Sequence, residues 1–181
     1  GGREVCHDWR MDENVDIGSV TSAARRASRI LAGASPARKN AALEAIASAL
    51  VERAGEILAG NASDMERGRA NGMAEGLLDR LELTSERLGA IAASVREVAA
   101  LPDPVGEVVR GTTNELGLRI TQVRVPMGVV GMIYEARPNV TVDAAVLALK
   151  AGSAVVLRGG SAAEASNAAL VGAMRSALES V

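Results

Sequence analysis

Two short apolar runs, "GVVGMIY" at 128–134 and "AVVLR" at 154–158, flank a helical stretch, "NVTVDAAVLALKAG" at 139–152. A strand, a helix and a strand in that order form a crossover, which joins parallel neighbours rather than a hairpin pair. A second helical stretch, "AAEASNAALVGAMRSALES", follows at 162–180, so the last third reads βαβα. Strands this apolar belong in a parallel sheet covered on both faces. Two strands alone would leave broad apolar faces open. The sequence therefore predicts further strands beyond Val181 and reads as the first part of a longer protein.

The preceding hundred residues follow a helical period. Val20, Ala23, Ala24, Ala27, Ile30 and Leu31 form one stripe, which "GAS" interrupts. Ser35 and Pro36 restart a helix as cap and first residue, with Leu43, Ile46, Ala47, Leu50, Ala54, Ile57 and Leu58 as its apolar face. A short polar helix is expected from Asn61 to about Asn71-Gly72. Another is capped by Thr84, with Leu88, Ile91, Ala92, Val95, Val98 and Ala99 buried. "LPDPVG" then makes a rigid turn.

Between helices and βαβα lie "EVVRG" and "LGLRITQVRVP", β-rich segments separated by "TTNE". Leu116, Leu118 and Ile120 alternate, but the apolar phase slips to Val123 and Val125, which predicts a bulge or a change of neighbour near Gln122. A hairpin of this length reaches away from its own core and is expected to take part in oligomerisation. The expected organisation is a tail at 1–15, a helical part at 16–105, a hairpin at 106–126 and the βαβα unit at 127–181.

Charge and composition exclude several partners. With 20 basic and 22 acidic residues the net charge is −2, so no global field recruits nucleic acid or an anionic membrane. Trp9 and Tyr134 are the only aromatics, too few for a base-stacking platform. One cysteine cannot close an internal disulfide, and one histidine cannot supply a His-rich metal site. No apolar run is long enough to span a bilayer, and the start lacks a signal peptide's basic and apolar regions. A cytoplasmic location is expected. Met11 opens a plausible acidic start, "MDENVD", so residues 1–10 are either native or foreign.

In doubly wound sheets, ligands bind beyond the carboxyl ends of the strands, where helix N-termini offer free N–H groups. Both apolar strands end in polar knots at such places. In the second, Arg158 supplies a cation, Gly159 and Gly160 permit close backbone approach, and Ser161 adds a hydroxyl. The alternative is a flexible turn with a solvated arginine. The dinucleotide fingerprint G-x-G-x-x-G follows neither strand. In the first knot, Pro138 suits a helix start and Asn139 either caps it or turns its amide outward toward a developing oxyanion. Glu135 and Arg137 either pair together or leave Arg137 for an anionic substrate. Lys150 is expected to complement its own helix's C-terminus. Cys6, beside His7 in the polar tail, is not expected to be catalytic, because adjacency in sequence does not orient the pair.

The long segment "RVPMGVVGMIYEARPNVTVDAAVLALKAGSAVVLRGGS" and the upstream "LLDRLELTSERLGAIAASVREVAALPDPVGEV" are specific. Together they resemble the gamma-glutamyl phosphate reductases (glutamate-5-semialdehyde dehydrogenases), a branch of the aldehyde dehydrogenase superfamily. The resemblance extends from about Asp16 to the end. It implies an α/β, aldehyde-dehydrogenase-like fold: a helical layer, a hairpin and the first βαβα of a variant Rossmann domain, incomplete here. It also implies reduction of L-glutamate 5-phosphate by NADPH to L-glutamate 5-semialdehyde, with phosphate release, in proline biosynthesis.

By the same resemblance, Pro138 and Asn139 match the superfamily's Pro-Trp-Asn turn, whose asparagine helps hold the oxyanion, although Arg137-Pro138 replaces the tryptophan context. Arg158 falls where most of these enzymes place a lysine near the adenosine ribose, and Ser161 where many carry a glutamate. A glutamate accepts from the 2′-hydroxyl of NAD and repels the extra phosphate of NADP, so Ser161 with Arg158 implies NADP. The implied cofactor-binding set is Ile133, Tyr134, Glu135, Pro138, Arg158, Gly159, Gly160 and Ser161. Arg137 and Asn139 would face substrate. The family's nucleophilic cysteine lies in an "RPSTCN"-like segment that this chain does not contain, so the chain by itself is expected to be inactive. The expected partners are the small substrate and further copies of the chain. Two other readings stay open: a nucleotide-binding or assembly module without catalysis, and another aldehyde dehydrogenase, such as one acting on an acyl-CoA.

Overall fold

The computed structural model describes residues 16–181, so the tail with Cys6, His7 and Trp9 lies outside the described residues. Helix starts obey local capping chemistry. Asp16 accepts from the N–H groups of Gly18 and Ser19 to begin α1 (Ile17–Ala32), and Ser35 accepts from Arg38 to begin α2 (Pro36–Glu52). Then come α3 (Ala54–Ala70), α4 (Glu75–Leu81) and α5 (Ser85–Ala100), the last capped by Thr84 Oγ1, which accepts from the Arg87 N–H at 3.1 Å. α3 ends before Gly72, whose φ of +70° is costly for any residue with a Cβ.

Two helical expectations need correction, and one further helix carries no signal in the sequence. The stripe from Leu43 to Leu58 reads as one helix, but the chain breaks at Arg53, whose φ of −100° and ψ of 21° leave helical values. Ala54, Ile57 and Leu58 therefore belong to α3. That helix runs through Asn61 instead of starting there, because the Asn61 side chain turns inward. Its amide donates to Leu81 O at 2.8 Å and to Ser166 Oγ at 3.0 Å, and its oxygen accepts from the Leu83 N–H at 2.8 Å. Helix α4, at seven residues, is too short to show a periodic pattern. Leu81, fully buried, and Leu78 fix it beside Met65.

Lys150 does not serve its own helix. It is buried and donates to Asn40 Oδ1 at 2.7 Å and to Ala99 O at 2.8 Å, stitching α2 and the end of α5 together. The Lys150 carbonyl is met instead by Lys39 Nζ at 3.3 Å, and Lys39 also sits 2.5 Å from the Asp103 carboxylate. Two buried ammonium groups are tolerable here because carbonyls, an amide oxygen and a carboxylate accept from them.

The hairpin, β1 (Val108–Thr113) and β2 (Arg119–Val123), is antiparallel and exposed along its whole length. Val108 faces Val123 while Arg110 faces Gln122, so the expected bulge is present, with Val109 as the extra residue on the opposite strand. Leu116 and Leu118, expected on the strand, lie in its turn. There Asn114 Oδ1 accepts from both of their N–H groups and Gly117 has φ of +83°.

The last third is β3 (Val129–Ile133), α6 (Pro138–Lys150), β4 (Ala154–Arg158), a single 3-10 turn (Ser161–Ala163) and α7 (Glu164–Glu179). β3 and β4 are parallel and in register from Val129–Ala154 to Ile133–Arg158. One core joins the two parts of the chain: Leu43, Ile46 and Leu50 of α2, Ile57 of α3, Leu88 and Val95 of α5, Val142 and Val146 of α6, Leu170 and Met174 of α7. Helices α1 and α6 both pack on β4. Val129, Met132 and Ile133 on β3 remain exposed, as a two-stranded parallel sheet requires.

Candidate functional site

The register of the parallel pair sets the two polar knots side by side. Ile133 lies opposite Arg158, and the Tyr134 N–H donates to the Arg158 carbonyl at 3.1 Å, one step past the end of the ladder. Beyond that point the turns touch. A Cβ on Gly160 would lie 3.4 Å from Glu135 Cα, and one on Gly159 would overlap Asn167 Nδ2 and come within 3.2 Å of the Tyr134 hydroxyl. The glycine pair therefore lets protein approach protein. Tyr134 in turn bonds Thr141 Oγ1, which donates to Asn167 Oδ1 at 2.7 Å, tying the first knot to α6 and α7.

The start of α7 corrects the expectation of a free helix N-terminus. Asp64 of α3, fully buried, accepts from the N–H of Ala165 at 3.2 Å and of Ser166 at 2.7 Å, and from Ser166 Oγ at 2.7 Å. A side chain thus already holds the donors that a dinucleotide fold would turn toward pyrophosphate. What faces solvent is the turn itself. Arg158 is exposed and donates to the Gly159 carbonyl, and Ser161 is exposed beside it. A cation and a hydroxyl, with no carboxylate at 158–161, fit the phosphate side of a nucleotide through side chains rather than through a helix end.

The α6 end is different. Pro138 is its first residue and Arg137 the cap, but no side chain accepts from its leading N–H groups, so the capping role considered for Asn139 is not the one it takes. Its amide Nδ2 donates to Asp143 Oδ2 at 3.3 Å, which leaves a second amide hydrogen for another acceptor. Burial holds the Asp143 carboxyl above its ordinary range, and the Asn139 bond pulls it back only in part. Among the described residues no ion pair joins Glu135 to Arg137. Arg137 instead lines a cavity of about 380 Å³ with Pro138, Asn139, Asp79, Arg80 and Arg87.

That cavity wall contains residues the sequence did not single out. Arg87 is fixed by the Asp79 carboxylate at 2.7 Å and by the carbonyls of Asp79 and Glu82 at 2.6 and 3.0 Å. Among the described residues Arg80 and Arg137 form no ion pair, so the lining combines cations with an uncapped helix start. Their type gives no clue in sequence, since only packing of α4 and α5 against the α6 turn assembles them. No group of three or more acidic, His or Cys residues that could hold a metal is found among the described residues.

The chain is 61% identical over 163 residues to a gamma-glutamyl phosphate reductase of Kineococcus radiotolerans, covering 90% of this chain and 38% of that protein. The crystal structure of gamma-glutamyl phosphate reductase from Thermotoga maritima superposes with a TM-score of 0.87 at 45% identity, over 90% of this chain and 39% of that one. The chain is homologous to part of gamma-glutamyl phosphate reductase. It spans under two-fifths of the length of the reductase from Kineococcus. A Bacillus subtilis protein described as an aldehyde dehydrogenase matches this chain with a TM-score of 0.67 at 18% identity, a likeness of fold alone. No protein-family model matches the chain.

Proposed function

We propose that this chain forms the first part of an NADPH-dependent reductase that converts L-glutamate 5-phosphate to L-glutamate 5-semialdehyde and releases phosphate, in proline biosynthesis. The observation that carries the reading is the 61% identity to a gamma-glutamyl phosphate reductase across 90% of the chain. The parent protein is then a cytoplasmic oxidoreductase. Residues 16–105 and 127–181 build part of its cofactor domain, and the hairpin at 106–126 joins copies of it. The exposed apolar residues Val108, Val109, Ile120 and Val123 support that use of the hairpin.

Ile133, Tyr134, Glu135, Pro138 and Arg158 to Ser161 would hold the nucleotide, which supplies a hydride when bound. The preference for NADP is supported by an arginine and a serine, with no carboxylate, in the exposed turn. Arg137 would attract the anionic substrate, and the second Asn139 amide hydrogen, beside the uncapped start of α6, would stabilise negative charge on the reacting oxygen. The nucleophilic thiol is assigned to a segment outside these residues. The reading is tested by expressing the complete reading frame that holds this sequence. NADPH oxidation and phosphate release must both depend strictly on glutamate 5-phosphate; activity with an acyl-CoA instead, or turnover by the 181 residues alone, defeats it.

A further inference from the structure

We infer that Arg67, on α3, is a specificity-determining residue of the nucleotide site, placed to receive a phosphomonoester on the ribose; this rests on the NADP reading above. The motif that announces the turn, "RGGS", contains one cation. The structure adds another from 91 residues upstream in the numbering. Arg67 Nη2 donates to the Ser161 carbonyl at 3.2 Å and pairs with Asp64, the buried carboxylate that also holds the start of α7. The Arg67 side chain is 43% exposed while its Asp64 partner is fully buried. One edge of the guanidinium is thus clamped from beneath, and Nε and Nη1 form no hydrogen bond within the described residues.

A planar cation with one nitrogen fixed and others open is pre-organised for a phosphate, because little rotamer freedom remains to be lost on binding. Arg158 bonds the carbonyl of Gly159 and Arg67 that of Ser161, so two guanidinium groups grip a three-residue stretch of one turn. The acids near that turn, Glu135 and Glu164, are exposed and pair with neither arginine. Asp64 shares its charge between Arg67 and the Ala165 and Ser166 donors of α7, so it offsets Arg67 only in part while both arginines meet solvent. Arg67 here both positions the turn, through the Ser161 carbonyl, and adds charge to it.

Titration of the protein expressed from the complete reading frame with adenosine 2′,5′-bisphosphate and with ADP, followed by calorimetry, separates the two claims. The unaltered chain is expected to favour the bisphosphate, and Arg67→Gln, which keeps a donor toward Asp64, to lose about tenfold of that preference while ADP binding stays the same. Arg67→Lys should recover part of it, a response that a role in folding alone would not give. Circular dichroism of both variants checks that the helices persist. If the unaltered chain does not discriminate, the NADP reading falls and this inference with it. If discrimination survives Arg67→Gln, only the inference is overturned.

Discussion

Replacing Asp64 by Asn tests whether one buried carboxylate joins the helical layer to the βαβα unit. The carboxylate accepts from Ala165 N, Ser166 N, Ser166 Oγ and Arg67 Nη2, with no exposure of its own. An Asn side chain has the same shape but turns one oxygen into a donor. Whichever way the amide is placed, a buried N–H at the start of α7 faces another donor, at a cost of about 1–3 kcal/mol. Loss of the negative charge at that helix end adds about 1 kcal/mol. Breaking a fully buried ion pair costs about 3–5 kcal/mol, and the solvent around Arg67 puts this case at the low end. The first two costs together come to about 2–4 kcal/mol and the ion-pair figure is a second measure of the same loss, so the expected destabilisation is about 3 kcal/mol, or roughly 6–12 °C in Tm for a chain of this size. Urea unfolding at neutral pH, followed by far-ultraviolet circular dichroism, measures it directly, with an unchanged slope showing that the folded state is still compact. A loss below about 1 kcal/mol would refute the argument, since α7 would then be held by its apolar face alone.

Other consequences follow from single contacts. Gly60→Ala places a Cβ 2.9 Å from the Ala165 carbonyl and should cost about 1–3 kcal/mol, whereas Gly89→Ala meets nothing within 4 Å and should gain about 0.5–1 kcal/mol in the same unfolding experiment. Lys150→Met removes a buried ammonium that serves Asn40 and Ala99; loss of at least about 1 kcal/mol is expected, and a neutral result would mean that the two acceptors are readily rehydrated. Burial alone would raise the Asp103 carboxyl, but the bonds from Lys39 and the Val105 N–H, with the charges of Lys39 and Lys150, hold it below the ordinary aspartate value. Its stabilising effect is therefore complete above that value and fades as pH falls through the lowered one, so Asp103→Asn should flatten the acid limb of a stability–pH curve. Asp143 has the opposite sign: its raised carboxyl favours the folded state at low pH and loses that advantage as pH rises past the ordinary value. Asp143→Asn should remove that decline, and a steeper one would contradict the assignment.

Elements that rest on local chemistry can be read directly from the order of residues. Ser35, Thr84 and the glycine after α3 set helix limits because caps and positive φ depend on residues a few positions apart. The parallel pair, the bulge opposite Gln122 and the closeness of "YEARPN" to "RGGS" follow from strand period and crossover geometry. The segments that carry the family likeness were equally readable as text.

Tertiary structure decided which polar groups face inward. Lys39, Asn61, Asp64 and Lys150 look like surface residues on helical stretches, yet all are buried, each answered by a partner 20 to 111 positions away. No local pattern distinguishes a solvated charge from one that caps another helix, because the difference lies in the partner. The two knots changed meaning for the same reason. Gly159 and Gly160 serve the contact between turns, the donors of α7 belong to Asp64, and the open cations at the turn are Arg158 and a residue from α3, brought there only when the helical layer packs on the sheet.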